Sequence, residues 1–531
     1  MNNKFQNITN YCLKNIIFLI SLIIMIIGIL SIFITAYFDM SLSSPNEITH
    51  FKYSIGVLEV FISIIVIALI IFIVKKILKK IPSKFIFALL SILSFALFIF
   101  WVNILHLKPE TDQKMIHDMS IYLLGGSVEF FLIPSQYLFY YPYQFGLTFF
   151  VSIIYKFFGQ DYMIIQYLNC IASIINMFII FKISKILFKN ENIQKILTIL
   201  LSIFSIYWMF FNPHFYGNII GLTFSLSSIL FILFYFENKN LFNLFLSGIL
   251  IAISILLKSN YNIFLCGIIL ILILDVIKKW KLKNLLIIPI FIIGYFSINL
   301  GYNSILNYMN LKLPQGVPMI SFAYMGFSEP IDMAPGWYNE NTLVIYNEAH
   351  YDNELARKIT YEKIGERLSE FLNNPKMFFD YFSQKIASTW LNPTFQTIYY
   401  SHPGIRYIFD IDYIEYLNYH KKVLSMLSDN LYKIEEFIFK IYQIIIFVFA
   451  GFGLLKLSKN INLKQAILPT IFLGGFIFHI IWETKAIYVI QYYFLLLPFA
   501  AYGLNYLIEF LLPNWKLFFK NKLKKKNNTN K

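Results

Sequence analysis

The most constraining feature of this sequence is a series of long apolar runs that recurs along almost its whole length. Each run has about 20 residues, enough for a helix to cross the ~30 Å hydrocarbon layer of a bilayer. Only 14% of the residues are charged, against about 25% in a soluble domain. Barrel strands would instead alternate polar and apolar residues over about ten positions. The sequence therefore predicts an all-α polytopic membrane protein.

The apolar runs and the positions of the lysines together predict the topology. We place about twelve transmembrane helices, near residues 16–38, 55–74, 85–106, 163–187, 193–211, 216–236, 241–257, 261–277, 284–302, 437–455, 465–482 and 486–511. The lysine-rich connections then share one side, which the positive-inside rule identifies as cytoplasmic. Both termini are therefore expected in the cytoplasm of a cell-membrane protein.

One further apolar segment, 145–158, does not fit this alternation. If it crossed the membrane, every later lysine cluster would change sides, against the positive-inside rule. We therefore expect a re-entrant or interfacial helix there, which is tolerated where protein or water covers its backbone.

This topology divides the chain into five parts. They are two N-terminal transmembrane helices (1–83), a transmembrane module (84–302) with a first outer loop (107–144), an extracytoplasmic domain (303–436), three C-terminal transmembrane helices (437–511) and a basic cytoplasmic tail (512–531). The extracytoplasmic domain is predicted to be small and mainly helical. Its clearest helix is 353–373, where apolar residues recur at helical spacing among charged ones.

The net charge of +15 does not indicate a nucleic-acid partner. The segment 303–436 has more acidic than basic residues, so the basic surplus lies mostly in the short connections, where it reflects membrane orientation. We expect membrane lipids, and no nucleic acid, as partners. The sequence also lacks the G-x-x-x-x-G-K-[ST] and G-x-G-x-x-G motifs of nucleotide binding. An enzyme of this kind would take its activated substrate from the membrane.

Polar residues at the predicted outer ends of the helices are the candidate functional residues. Asp112 closely follows the third span, where a carboxylate is placed to act as a general base. Lys258 ends another span and is suited to neutralise a phosphate, although a lysine that only snorkels to the surface is the alternative. Glu483 and Lys485 lie in a third outer turn, where a simple ion pair is the alternative.

The first outer loop contains further candidates. Its aromatic segment 137–146 is suited to line a groove for a lipid or sugar, and is also typical of an aromatic belt. Two histidines, His106 and His117, flank the carboxylates without the spacing of a standard metal site. We expect no metal and no other cofactor, and a divalent cation stays open as an alternative.

The order of these motifs resembles the GT-C superfamily of membrane glycosyltransferases, and specifically glycosyltransferase family 39-like proteins. Protein O-mannosyltransferases and the lipid A aminoarabinose transferase are members of that group. The resemblance extends from about residue 84 onward. It rests on Asp112-Gln113, Tyr141-Pro142-Tyr143-Gln144-Phe145-Gly146, Phe157-Phe158-Gly159, Leu257-Lys258, Tyr324-Met325-Gly326-Phe327, Pro335-Gly336-Trp337-Tyr338 and Trp482-Glu483.

The resemblance implies transfer of a sugar from a polyprenyl-phosphate donor to a glycan, lipid or protein acceptor, with inversion at the anomeric carbon. This reaction would take place on the outer face of the membrane, in the synthesis of envelope glycans or glycoproteins. By analogy Asp112 activates the acceptor and Lys258 holds the lipid phosphate. The other residues implied at the donor are Lys485, Tyr141, Tyr143 and Gln144, with Glu110, Gln113 and Glu483 as supporting residues.

The sequence departs from the relatives in two places. Ile487 stands where relatives often have an arginine before the residue matching Tyr488, so Lys485 is the candidate substitute. Two spans also precede the helix that carries the first outer loop, where many relatives have none.

Two rival functions stay open on the sequence. A flippase for lipid-linked oligosaccharides, or another transporter, would carry charged residues deep in its spans and show broken helices at the midplane. Glu59 is the clearest acidic residue inside a span here, and it lies near the outer end. A polysaccharide polymerase or ligase would grip a pyrophosphate with outer arginines. The chain has three arginines, Arg357, Arg367 and Arg406.

Overall fold

The computed structural model describes residues 2–40, 47–134, 136–279, 282–330, 333–402, 415, 418–427 and 429–510. The predicted tail 512–531 and Arg406 lie outside the described residues. Within the described part the chain is mainly helical, and only two short strands are present. The predicted all-α polytopic class is thereby confirmed.

The elements follow one another in this order. They are α1 (Asn2–Phe33), β1 (Ile34–Phe38), β2 (Thr49–Tyr53), α2 (Val57–Phe72), α3 (Ser83–Leu105), α4 (Asp112–Leu124), α5 (Tyr137–Tyr140), α6 (Phe145–Phe158), α7 (Met163–Leu187), α8 (Glu191–Phe211), α9 (Asn218–Asn238), α10 (Phe242–Leu257), α11 (Asn262–Lys279), α12 (Ile287–Tyr308), α13 (Ile320–Phe327), α14 (Asn341–Glu348), α15 (Asn353–Asn373), α16 (Pro375–Trp390), α17 (Thr397–Ser401), α18 (Lys421–Leu427), α19 (Asp429–Leu457), α20 (Leu463–Ile481) and α21 (Ile490–Phe494).

Among the described residues, 11 helices are long and apolar enough to cross a membrane. These spans are Gln6–Phe33, Val57–Ile77, Ser83–Leu105, Met163–Leu187, Glu191–Phe211, Asn218–Asn238, Ser259–Lys278, Asn284–Tyr308, Asn430–Asn460, Leu463–Ile481 and Ile490–Phe510. The shorter apolar helix α10, with 16 residues, occupies the remaining predicted span. Every predicted apolar run therefore contains a helix.

Local sequence signals explain where several helices begin. The Asn190 side chain accepts hydrogen bonds from two backbone N–H groups in the first turn of α8, and Asp352 does the same for α15. Asn462 and Gln465 form a capping box at the start of α20. Each cap satisfies N–H groups that have no partner within the helix. The predicted helix 353–373 coincides with α15.

The first span ends earlier than the apolar run that predicted it. Helix α1 stops at Phe33, and β1 then pairs antiparallel with β2, with Ile34 opposite Tyr53 and Phe38 opposite Thr49. Strand β1 contains the β-branched and aromatic residues that favour an extended backbone. Sequence reasoning missed this hairpin because hydropathy alone does not separate a buried strand from the end of a buried helix.

The apolar segment 145–158 forms helix α6, which folds back beside α4. The His117 ring nitrogen Nδ1 on α4 lies 2.6 Å from the Tyr155 hydroxyl on α6. Beyond α6, the Gln166 side chain at the start of α7 donates a hydrogen bond of 2.6 Å to the Leu107 carbonyl. The end of α3 and the start of α7 therefore lie at the same end of the bundle, which is what an interfacial helix at α6 requires.

Part of the segment 303–436 has a small apolar core of its own. Helices α13, α14 and α15 enclose it with the residues Val317, Phe322, Met325, Ile345, Tyr346, Ala349 and Ala356. This core lies apart from the large apolar cluster of the membrane helices. It packs against the aromatic segment around Phe139 and against Trp482, so it closes over the end of the bundle where α3 ends.

The first two spans and the hairpin between them form one unit, the N-terminal module (α1, β1, β2 and α2). Helix α1 packs along α19, where a Cβ added to Gly28 would lie 3.0 Å from the Phe447 Cβ. On α2, Glu59 forms an ion pair of 3.3 Å with Lys440 of α19, and both side chains are largely buried. The module is thus fixed to the bundle by close helix packing and by a buried ion pair.

Helices α10 and α12 cross at a point where only glycine fits. A Cβ added to Gly294 on α12 would lie 2.2 Å from the Phe245 carbonyl oxygen on α10, well inside van der Waals contact. One heptad further along α12, a Cβ added to Gly301 would meet no atom within 4 Å. The close approach at Gly294 therefore sets the distance between the two helices.

We predict that Gly294→Ala separates α10 from α12 and lowers the free energy of unfolding by about 1–3 kcal/mol, the typical result of overpacking. Gly301→Ala is the matched control on the same helix, and we expect it to be neutral or to stabilise by up to about 1 kcal/mol. Thermal unfolding of both purified variants in detergent checks this. Equal melting temperatures would contradict the assigned packing.

Candidate active site

The candidate residues chosen from the sequence lie at helix ends that meet at one end of the bundle, here called the site end. Asp112 is the first residue of α4, and Lys258 directly follows α10. Glu483 and Lys485 lie in the turn between α20 and α21. Asp112 interacts electrostatically with both lysines, and Glu483 interacts with all three of the other groups. The structure therefore brings these four residues together.

The surroundings of Asp112 act on the pKa of its carboxyl in opposite directions. Burial in the surrounding protein raises the pKa of its carboxyl, while the charges of Lys258 and Lys485 and a hydrogen bond from Tyr137 act to lower it. The effect of burial is larger than that of the lysines and Tyr137, so the pKa of Asp112 lies above its ordinary value. A carboxylate with a raised pKa is a stronger base, and its charge is compensated by two nearby ammonium groups.

The groups around Asp112 are partly enclosed by protein and partly open to solvent, and we call this place the crevice. Asp112 itself has substantial accessible surface, and Tyr143 is 39% exposed. Even so, protein surrounds each of them closely enough that burial is the main cause of its raised pKa. Accessible surface combined with strong desolvation is expected for side chains on the wall of a cleft, and clefts with a few convergent polar groups are where small molecules are usually bound.

Backbone packing fixes the position of Lys258. A Cβ added to Gly146, at the start of α6, would lie 2.3 Å from the Leu256 carbonyl oxygen, so the end of α10 rests directly on α6. The Lys258 Nζ lies 3.9 Å from the centre of the Tyr216 ring and 5.9 Å from that of Tyr488. Burial lowers the pKa of Lys258 to about 8, although Asp112 and Glu483 act to raise it. Lys258 is therefore a desolvated cation held among aromatic rings.

A chain of hydrogen bonds connects the aromatic segment to Asp112. The Gln144 side-chain amide donates to the Tyr216 hydroxyl, which hydrogen-bonds Tyr137. Tyr137 in turn hydrogen-bonds Asp112. Because Tyr216 also lies beneath the Lys258 ammonium, it connects the acid and the cation of the site.

The turn with Glu483 and Lys485 brings a second acid and a second cation. The Tyr488 hydroxyl donates to Glu483 Oε1 at 3.2 Å, and burial raises the pKa of Glu483 despite the nearby lysines. Lys485 Nζ lies 2.5 Å from Glu47 Oε2, in the connection between β1 and β2. Lys485 therefore pairs with a residue that the sequence analysis did not select.

The remaining candidates have distinct surroundings. Tyr141 hydrogen-bonds Tyr338 and interacts electrostatically with Asp112. The buried side chain of Gln113 accepts the Phe215 N–H at 2.6 Å, so it fixes the connection that carries Tyr216. Glu110 interacts with the Tyr399 hydroxyl, near Lys485. Each of them therefore belongs to the wall of the crevice or to its support.

The two histidines do not form a metal site with the carboxylates. His117 faces Tyr155 on α6, and burial lowers its pKa, while the His106 ring packs 5.8 Å from Tyr162. In the part of the chain that the structure describes, no group of three or more His, Cys, Asp or Glu side chains is placed to hold a metal ion.

Two residues that the sequence analysis missed, Tyr216 and Lys385, support the site. Tyr216 lies in a short connection, Pro213-His214-Phe215-Tyr216-Gly217, whose position between two spans on the predicted outer side was an available signal. Lys385 on α16 donates to the carbonyls of Gly326, Ile480 and Trp482 at 2.5, 2.8 and 2.9 Å. Nothing in the sequence around Lys385 separates it from an ordinary surface lysine.

Comparison with known proteins identifies the type of fold around this site. Residues 144–300 match the model of a family described as dolichyl-phosphate-mannose-protein mannosyltransferase, which is a GT-C superfamily domain. The matched segment contains Gln144, Tyr216 and Lys258, and it ends before Glu483 and Lys485. A comparison with functionally curated proteins found no match for this chain.

The fold and the comparison together define a multi-pass membrane protein with a polar crevice at one end of its bundle. The resemblance to GT-C glycosyltransferases predicted from the sequence is confirmed by the match over 144–300. This match over 144–300 indicates a membrane glycosyltransferase of the GT-C type.

We predict that Lys385→Met lowers the free energy of unfolding by about 2–4 kcal/mol, because it leaves buried carbonyls without donors. The same substitution should lower sugar transfer, because it displaces the turn that carries Glu483. Lys376→Met is the matched control, since Lys376 is exposed on the same helix. Thermal unfolding and transfer assays on both variants check this. A Lys385→Met protein with the stability of the control would contradict the anchoring role.

Proposed function

We propose that this protein transfers a sugar from a polyprenyl-phosphate donor to an acceptor on the outer face of the membrane, with inversion at the anomeric carbon. The acceptor is a glycan, lipid or protein of the cell envelope. One observation carries the proposal: a single crevice in a GT-C glycosyltransferase holds a carboxylate with a raised pKa, Asp112, beside the two ammonium groups of Lys258 and Lys485.

The proposed reaction needs a base, a cation and alignment. Asp112 takes the proton of the acceptor hydroxyl while that oxygen attacks the anomeric carbon, and the bond between this carbon and the phosphate oxygen breaks. Lys258 and Lys485 stabilise the negative charge that develops on the departing lipid phosphate. A single displacement of this kind inverts the anomeric carbon. The sugar already carries its leaving group, so the reaction needs no nucleotide.

The distribution of lysines supports an outward-facing site. Lys195 on α8 donates to the Leu78 carbonyl, Lys278 on α11 to Asn10, and Lys464 on α20 to Glu237. All three lie at the end of the bundle opposite Asp112. Because lysine-rich connections mark the cytoplasmic side, the site end is assigned to the outer face and the termini to the cytoplasm.

The surroundings of the charged residues favour a monophosphate donor over the rival functions. Arg357 and Arg367 both lie on α15 and form ion pairs with acidic neighbours. Among the described residues, which do not include Arg406, no arginine takes part in the contacts of Asp112 or Lys258. A polymerase that grips a pyrophosphate would use arginine there. The buried Glu59 of the transporter alternative is paired with Lys440, as expected for a structural contact.

We predict that Asp112→Asn lowers transfer by about 10²- to 10⁴-fold, because an amide does not accept the hydroxyl proton. Binding of the lipid donor should persist, since the lysines remain. A panel of radiolabelled polyprenyl-phosphate sugars, incubated with membranes that contain the variant, measures transfer.

The control for this variant is Asp118→Asn. Asp118 lies on the same helix, and it interacts electrostatically with His117 and Tyr155. We expect wild-type transfer from this variant. Undiminished transfer by Asp112→Asn would remove the assigned base.

The pKa of Lys258, at about 8, predicts how donor binding depends on pH. Below pH 8 the Lys258 ammonium is charged and holds the phosphate. Above pH 8 Lys258 loses its proton, so the affinity for a polyprenyl monophosphate should fall about tenfold per pH unit. Lys258→Arg keeps its charge and should move this decline to higher pH. Affinity measured from pH 6 to 10 checks the sign, and a flat wild-type profile would contradict it.

A further inference from the structure

The closest charged contact in the crevice involves a residue from the N-terminal module. Glu47 lies just before β2, outside the segment that matches the family model. Its Oε2 is 2.5 Å from Lys485 Nζ, and its Oε1 accepts a hydrogen bond of 3.2 Å from the Gln396 side chain. Only 13% of the Glu47 side chain and 11% of the Lys485 side chain are exposed. Both oxygens of this carboxylate are thus occupied in a largely desolvated place.

The hairpin that carries Glu47 is attached to the wall of the crevice. The Ala36 N–H on β1 donates to the Leu391 carbonyl at 3.1 Å, and the Asn392 side chain donates to the Ala36 carbonyl at 3.0 Å. The Phe38 ring packs 5.4 Å from Trp337 and 6.1 Å from Tyr399. These contacts hold β1 against the site end, and β2, which begins just after Glu47, is paired with β1.

The helices on either side of the hairpin are fixed independently. The ion pair between Glu59 and Lys440 holds α2 against α19, and α1 packs closely along the same helix at Gly28. An anchored hairpin on two anchored helices gives its carboxylate a defined position, which a flexible loop would not.

We propose that Glu47 is a positioning residue, which keeps the Lys485 ammonium protonated and oriented toward the donor phosphate, so that the N-terminal module completes the transferase site. The inference rests on the proposed function, because it assumes that Lys485 contacts the lipid phosphate. Lys485 carries three N–H donors, and Glu47 accepts one of them, which leaves two for a phosphate.

The two lysines of the crevice differ in a way that Glu47 explains. Burial acts to lower the pKa of Lys485, but the charge and hydrogen bond of Glu47, followed by Glu483 and Tyr399, outweigh it, so this pKa is raised. For Lys258 burial dominates, and its pKa falls. The titratable groups that face Lys485 are Glu47, Glu483, Asp112 and Tyr399. Glu47 is the first of the partners that favour its charged form.

Amine labelling of the full-length protein in detergent tests this without knowledge of the sugar. Acetic anhydride acylates only neutral amines, so the pH dependence of labelling, read by mass spectrometry at each lysine, reports protonation. We expect Glu47→Gln to move the labelling midpoint of Lys485 down by about one to three pH units, the size expected for loss of an adjacent opposite charge. Labelling of Lys485 at a fixed pH should rise at least about tenfold.

Three controls separate charge from structure. Glu47→Asp retains the carboxylate and should keep the midpoint near the wild-type value. Asp39→Asn removes an exposed carboxylate from the same hairpin connection and should leave Lys485 unchanged. Labelling of the exposed Lys312 serves as an internal reference and should be equal in all variants if each is folded.

Undecaprenyl phosphate added to the wild-type protein separates this inference from the proposed function. We expect it to protect Lys258 and Lys485 from labelling. Absence of protection in the wild type would overturn the proposed donor site, and the role of Glu47 with it. Protection together with an unchanged Lys485 midpoint in Glu47→Gln would overturn the positioning role alone and leave the proposed function standing.

Discussion

The organisation of this protein depends on keeping charged groups stable in a crevice from which much of the water is excluded. Removing one charge from water costs several kcal/mol, so desolvated ions persist only where opposite charges and hydrogen bonds compensate them. Asp112, Glu483 and Glu47 face Lys258 and Lys485 at the site end, with tyrosine hydroxyls between them. Each group is stable there because of the others.

That arrangement requires the ends of many helices to meet at one place. Asp112 begins α4, Lys258 follows α10 and Glu483 follows α20, so no single helix carries the site. Close backbone packing provides the necessary accuracy, as where the end of α10 rests on Gly146. Buried donors add to it, as where Lys385 connects α13 to the end of α20. The site is therefore a property of the whole bundle, including the N-terminal module.

The parts of this account that were predictable from the sequence are those with local or membrane-wide causes. The thickness of the bilayer sets the length of each apolar run, so the spans were predicted, and helical periodicity predicted α15. The positive-inside rule places Asp112, Lys258 and Lys485 on one side, and in the structure they lie at one end of the bundle. Glu47 was not predictable, because it lies 438 positions from Lys485 in the sequence and the first strand of its hairpin, β1, falls within an apolar run. Lys385 was missed because burial, not sequence, distinguishes it from a surface lysine.

A structure determined with a bound polyprenyl phosphate tests the central claim most directly. The account predicts that its phosphate lies within hydrogen-bond distance of the Lys258 and Lys485 ammonium groups, with the Asp112 carboxylate facing the space beside it. A phosphate bound away from both lysines, or at the opposite end of the bundle, would contradict the account.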